Sequence, residues 1–250
     1  FLQAVMHDRY RTLSLENRVG LLPLPPVRGR IFDRNGEVLA DNYPAYELEV
    51  VPDQIVDLEK MVHELRDLIG LSDQELQRFI GLLKSRPPFE PRILKNSLSY
   101  EEASLFAVNQ YRFPGVALRA SLRRFYPHAG LTGHVVGYVG RISEEDLQRI
   151  NPSVYRGTRY IGKLGIEARY EEELFGRTGY ESVESNAHGR VVRSLDKRSP
   201  ESGWSAHLTL DVALQKVARE ALGDQRGAVV ALHPQTGDVL AFVSAPDYDP

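Results

Sequence analysis

Between Asp57 and Ile69 the apolar residues Leu58, Met61, Val62, Leu65, Leu68 and Ile69 recur at the three- and four-residue steps that place them on one face of a helix. Gly70, free to take positive φ, is the expected stop. A second helix begins at once. Ser72-Asp73-Gln74-Glu75 has the Ser-x-x-Glu spacing in which two backbone donors are satisfied reciprocally, and Leu76, Phe79, Ile80 and Leu83 continue the stripe. Ser99-Tyr100-Glu101-Glu102 repeats that signature ahead of Ala103 to Gln110, and Ser143-Glu144-Glu145-Asp146 offers a weaker form ahead of Leu147 and Ile150. Leu164 to Leu174 reads as a further short helix, with Glu171-Glu172-Glu173 as a solvated face.

Strand patterns alternate with these helices. In Arg28 to Ala40 the pair Asn35-Gly36 sits between apolar strands and predicts a hairpin, because both residues tolerate positive φ; strand alternation resumes from Tyr46 to Val51. Tyr180 to Val192 reads as a hairpin around Asn186 to Gly189, after which Ser199, Pro200, Ser202 and Gly203 form a breaker cluster and a domain boundary. Beyond it Ala206, Leu208 and Leu210 alternate, and Asp211 can cap a helix carrying Leu214, Val217, Ala218, Ala221 and Leu222 up to Gly223. Ala228 to Leu232 and Val239 to Ser244 follow as strands joined by a turn in which Gly237 is free to take positive φ. At the other end, Leu2, Val5, Met6, Leu13 and Leu15 predict a short opening helix over Phe1 to Arg18, and Pro23, Pro25 and Pro26 a stiff connector. The pattern is α+β.

Composition narrows the function classes. Thirty-one Lys and Arg against 34 Asp and Glu give a net charge of -3 over 250 residues, so no excess of positive charge exists to neutralise a phosphate backbone, and nucleic acid is excluded as a partner. The absence of cysteine removes disulfides, thiolate catalysis and Cys-based zinc sites together. His7, His63, His128, His134, His188, His207 and His233 show no i, i+4 pair, so no metal is expected, and no glycine-rich phosphate loop supports a nucleotide; no cofactor is expected. No stretch reaches the roughly 18 apolar residues that span a bilayer.

Three ordered blocks carry a resemblance. Val27-Arg28-Gly29-Arg30-Ile31-Phe32-Asp33-Arg34-Asn35-Gly36, through Leu39-Ala40, resembles the first block of the non-catalytic pedestal of class B penicillin-binding proteins. Ile161-Gly162-Lys163-Leu164-Gly165-Ile166-Glu167-Ala168-Arg169-Tyr170, with Gly176-Arg177-Thr178-Gly179, is similar to a later pedestal block. Leu208 to Gln215, Gly227 to Leu232 and Thr236-Gly237-Asp238 to Ala241 resemble the opening of the transpeptidase domain, and Leu21 to Pro26 looks like the penicillin-binding protein 2 subgroup. The resemblance implies a juxtamembrane helix and connector over 1–26, an elongated pedestal over 27–200 with a helical head inserted at about 53–126, and an incomplete transpeptidase opening over 204–250. Arg28, Gly29, Asp33, Arg34, Asn35, Gly36, Gly165, Glu167, Tyr170, Gly176, Gly179 and Gly237 are the structural residues it singles out. It also implies a parent anchored by one N-terminal segment at the periplasmic face of the bacterial inner membrane. Its expected partners are a membrane glycan polymerase and elongation scaffold proteins; stem peptides and beta-lactams would bind only through a catalytic domain that these residues do not contain.

Members of that family acylate a serine with the D-Ala-D-Ala end of a stem peptide, using S-x-x-K, S-x-N and K-T-G elements. One S-x-x-K match exists, Ser194-Leu195-Asp196-Lys197, and it reads as a decoy. The run into Ser199-Pro200 leaves too little length for the helix that would bring Ser194 beside Lys197, and no K-T-G follows. No catalytic residue is therefore expected in this chain. The rival readings are a small serine acylase using Ser194 and Lys197, and an interaction protein without transpeptidase activity.

Overall fold

The computed structural model describes residues 18–85, 88–89, 91–185 and 191–248. The expected opening helix and the turn at Asn186 to Gly189 lie outside them, as do His7 and His188. The chain forms two compact units, Tyr43–Arg123 and the remainder, Phe1–Asn42 with Arg124–Pro250.

Within Tyr43–Arg123, strand β3 (Val38–Val50, entering from the other unit) pairs antiparallel with β4 (Arg92–Leu98) and also with β5 (Val116–Phe125). Three helices accompany them: α1 (Leu58–Ile69), α2 (Asp73–Ser85) and α3 (Tyr100–Asn109). Their ends follow local chemistry. Asp57 accepts the Lys60 N–H at the start of α1, Gly70 closes it in the left-handed region, and both bonds of the Ser99/Glu102 capping box are made. Leu48, Val50, Leu65, Phe79, Leu94, Phe106 and Phe113 form the core, with Phe106 and Phe113 stacked at 5.9 Å. Lys95 is buried beside it, its ammonium donating to Glu102 Oε1 at 2.8 Å and to the Ile69 carbonyl at the end of α1 at 3.3 Å. Burial pushes the Glu102 carboxyl up, but the hydrogen bonds from Lys95 and the Ser99 N–H outweigh it and hold the group below its ordinary range.

In the other unit β2 (Ile31–Phe32) turns through Asn35-Gly36 into the start of β3, and β12 (Ala206–His207) lies parallel against β2. Ile31, Leu39, Ala40, Val136, Leu174 and Val212 make the core, drawn from β2, the start of β3, α4 (Ala129–Val136), α7 (Glu171–Phe175) and α8 (Val212–Leu222). The remaining pairs are β6 (Val139–Arg141) with β7 (Tyr160–Gly162), β8 (Gly176–Arg177) with β11 (Glu201–Ser202), and β13 (Gly227–Leu232) with β14 (Val239–Ala245). The helix α5 (Glu144–Leu147) carries a full capping box from Ser143 and Asp146, stronger than its sequence suggested.

Two expectations change. The connector ahead of the first block is partly a strand: β1 (Arg18–Leu24) pairs along its whole length with β9 (Gly179–Ser185), which pairs in turn with β10 (Val191–Arg198). Pro23 is compatible with that because β1 is the sheet edge, where a missing N–H breaks no ladder. The helix expected over Leu164 to Leu174 is two short ones, α6 (Gly165–Arg169) and α7, separated at Tyr170, whose φ of -112° and ψ of 33° leave helical geometry.

Replacing Phe106 with Ala opens a cavity in the core of Tyr43–Arg123 and is expected to cost about 3–5 kcal/mol, measured as the shift in urea unfolding midpoint; a cost below about 1 kcal/mol would mean the ring is not packed as described.

Candidate functional site

The first and second sequence blocks meet at a buried carboxylate. Glu167, on α6, is wholly enclosed and receives Arg28 Nε at 2.6 Å on one oxygen and Arg124 Nε at 2.7 Å on the other. Arg28 also donates to the Glu167 carbonyl at 2.9 Å and to Glu171 Oε2 at 2.6 Å. Asn42 joins the two arginines, donating to the Arg28 carbonyl at 2.6 Å and accepting from Arg124 at 3.2 Å. The Tyr126 hydroxyl donates to Glu167 at 3.4 Å and accepts the Val139 N–H at 2.9 Å, while Glu171 accepts the Gly162 N–H at 2.9 Å.

Charge out of water is tolerated only when paired and hydrogen-bonded with good geometry. Here two guanidiniums face two carboxylates. Burial alone would lower the Arg28 pKa, but the charges of Glu167 and Glu171 outweigh it, so the group stays cationic. The Tyr126 hydroxyl is driven far up by burial and by Glu167, and remains a proton donor. Tyr155, stacked on Phe175 at 4.7 Å, is pushed up to about 12 by burial and the neighbouring Glu171.

Glu171 corrects the reading of the acidic run. Glu172 and Glu173 are exposed, but Glu171 is buried on Arg28. Glu167 and Glu171 stand four residues apart, the one local sign that they share a partner. Arg124, Tyr126 and Asn42 carried no such sign.

The first block holds a second junction. Asp33 is almost completely buried, and its Oδ1 accepts the N–H groups of Asn35 at 2.7 Å and Glu37 at 2.8 Å, shaping the turn in which Gly36 takes a φ of 85°. Its Oδ2 accepts the Val212 N–H at 3.2 Å, and the Arg34 N–H donates to the Leu210 carbonyl at 2.9 Å. Asn35 donates to Asp211 at 3.2 Å, and Asp211 in turn caps α8 by accepting the Leu214 N–H at 3.1 Å. Gly29 allows the chains to close up: a Cβ there would lie 1.9 Å from the Trp204 carbonyl oxygen.

The other singled-out residues are spread out. Gly165, with a φ of 61°, starts α6 hard against the backbone of Val135, and Gly176 and Gly179 press on the backbone of Glu201 and Arg198. Tyr170 is half exposed beneath the Arg169 guanidinium, and Gly237 turns the β13–β14 hairpin with open space around it. Ser194 and Lys197 lie on exposed strand β10, opposite Val183 and Glu181, which stand two residues, about 7 Å, apart along β9; an irregularity between Ser194 and Asp196 absorbs the third step. Among the described residues no group of three or more His, Asp or Glu side chains is placed to hold a metal ion, and no helix is long and apolar enough to cross a membrane.

Substituting Gln for Glu167 leaves two buried guanidiniums without their shared charge and is expected to cost about 3–5 kcal/mol, whereas Gln at exposed Glu172 should stay within about 0.5 kcal/mol; equal urea midpoints for the two variants would contradict the cluster. A second outcome concerns acid. Lys163 and the Ser143 N–H and hydroxyl hold the Asp146 carboxyl well below its usual range. A carboxyl whose folded pKa is depressed contributes stability above its unfolded value, about 3.9, and loses it as pH falls toward the folded value. Asp146→Asn should therefore flatten the fall in stability below about pH 4, and an unchanged acid slope would discount the pair.

Residues 23–208 match the family described as the penicillin-binding protein dimerisation domain. Over its whole length the chain is 40% identical to peptidoglycan D,D-transpeptidase MrdA of Acinetobacter baumannii, spanning 37% of that protein, and 42% identical to MrdA of Escherichia coli K12, spanning 40% of it. The fold resembles penicillin-binding protein 2 in its complex with MreC from Helicobacter pylori, with a TM-score of 0.74 and 24% identity over 93% of this chain and 44% of that one. Pseudomonas aeruginosa PBP2 bound to WCK 5153 superposes with a TM-score of 0.53 and 32% identity, covering 92% of this chain and 31% of that chain. The chain thus spans about two fifths of the length of the MrdA relatives, and with three quarters of its residues inside the family match it belongs to the penicillin-binding protein dimerisation-domain family.

Proposed function

We propose that this chain is the non-catalytic pedestal portion of a membrane-anchored peptidoglycan D,D-transpeptidase that cross-links stem peptides during cell-wall elongation. The observation that carries the reading is the family match over residues 23–208 in a chain 40–42% identical, end to end, to proteins named as MrdA transpeptidases. The pedestal is assigned to 27–200 with its head at about 53–126, and 204–250 to the opening of the transpeptidase domain. The buried cluster of Arg28, Arg124, Glu167 and Glu171 suits that role. A pedestal must resist deformation, and planar guanidinium forks on enclosed carboxylates accept few alternative geometries.

The chemistry belongs to the longer protein. There a serine would attack the penultimate D-Ala carbonyl, release the terminal D-Ala and pass the acyl group to an amine on a neighbouring stem. The working place is the periplasmic face of the inner membrane, beside a glycan polymerase and an elongation scaffold. The Helicobacter pylori PBP2 and MreC complex supports a scaffold partner of that kind.

Incubation with fluorescent penicillin, with the label located by mass spectrometry, tests the reading. This chain should take no label, and a form extended through an S-x-x-K serine should take it at that serine. Label on Ser194 would make the apparent decoy the nucleophile, and an extended form that stays unlabelled would reduce the protein to a scaffold.

A further inference from the structure

Gln215 is an almost completely buried polar side chain on α8, one turn after the Asp211 cap. Its amide makes three hydrogen bonds. Nε2 donates to the Phe242 carbonyl at 2.6 Å and to the Leu131 carbonyl on α4 at 2.9 Å, while Oε1 accepts the Phe242 N–H at 2.7 Å. One side chain thus replaces a neighbouring strand for Phe242 on β14 and ties that strand to two helices. The Asp211 N–H adds a bond to the Leu240 carbonyl at 2.8 Å, and Thr209 Oγ1 donates to the Val239 carbonyl at 2.8 Å.

Upstream, α8 is set by the Asp33 carboxylate, which lies 179 residues before Val212 in the chain and is fixed by the Asn35 and Glu37 N–H groups. A carboxylate in this position has no slack, since each oxygen is committed and the group is buried. The path therefore runs without a break from the Asn35-Gly36 turn through Asp33 to the first residue of α8, then through Gln215 into β14 and α4. The Asp33 to Val212 bond is buried and the three bonds of Gln215 are partly so, with the helix itself joining them, and a partner lost at either place leaves a poorly solvated group unpaired.

We propose that Asp33 and Gln215 are positioning residues for the transpeptidase reaction, transmitting the placement of the first pedestal block to strand β14. This rests on the reading of the chain as part of a transpeptidase. The two residues act in series, so neither touches substrate and each works through α8.

Hydrogen exchange of the 250-residue chain tests the relay itself. Asp33→Asn and Gln215→Met should each raise exchange across Val239–Ala245 about tenfold or more, with helix α3 in the other unit unchanged as internal reference. The combined variant should be no faster than the more severe single one, because links in series are not additive. Unchanged protection in β14 would overturn the relay. Acylation of the longer protein by fluorescent penicillin tests the role in the reaction. The saturating acylation rate should fall about tenfold in each variant, with the half-saturating penicillin concentration unchanged within about twofold. A merely structural loss of folded protein would lower the labelled fraction and leave the rate constant of the remainder intact. Wild-type acylation rates in both variants would overturn the positioning role and leave the transpeptidase reading standing, whereas no labelling of the longer wild-type protein would overturn the transpeptidase reading and, with it, this role.

Discussion

Glu167 has no route to water, and everything around it is arranged to make that tolerable. Its two oxygens take one guanidinium each, from Arg28 in the first block and from Arg124, the residue that follows the inserted stretch in the sequence, and its own backbone carbonyl takes a third bond from Arg28. Removing Glu167 or either arginine leaves a buried charge short of a partner, and removing Asn42 leaves buried polar groups unmet, so the four segments that supply Arg28, Asn42, Arg124 and Glu167 must be in place together. Hydrophobic packing alone would tolerate small slips among them, because dispersion has no preferred direction. A forked donor on a carboxylate does not.

That constraint explains the close backbone contacts nearby. Gly29 stands next to Arg28 and rests against the Trp204 carbonyl, while Gly203 meets the Leu174 carbonyl three residues after Glu171. Once the charged side chains fix the segments, only glycine leaves room for the chains to pass. The turn at Asp33 continues the same block outward and delivers the cap of α8. A short stretch of sequence therefore serves both the buried charges and the helix start, with alternate jobs on successive residues.

How much of this could be read beforehand depended on the range of the signal. Helix ends at Asp57, Gly70, Ser99 and Gly223, and the hairpin turn at Asn35-Gly36, were legible because their causes lie within four residues. Strand β1 was not, since Arg18 to Leu24 becomes a strand only by pairing with β9, more than 150 residues later, and its prolines argued for a connector. Arg124 carried no local sign and Glu171 looked like part of a solvated run for the same reason: nothing local distinguishes a charge with a distant buried partner from one in water. The resemblance to a family singled out Arg28, Asp33 and Glu167 as residues. It did not say that Arg28 and Glu167 touch, or that Asp33 faces Val212.

The parallel pairing of β2 with β12 has a temporal side. The first block is made early, yet the strand that completes its sheet, and the helix whose first N–H Asp33 accepts, come almost 180 residues later. At bacterial rates of synthesis that gap is roughly 10–35 s, far longer than helix formation or the collapse of a small unit. During it β2 has an open edge and Asp33 an unmet acceptor, so this unit cannot close vectorially behind the growing chain. The Tyr43–Arg123 unit, whose strands and helices are all drawn from one continuous stretch, carries no such delay. Nascent chains should accordingly spend their vulnerable interval with the inserted unit finished and the flanking one still waiting, and that is when a chaperone or a protease would meet them.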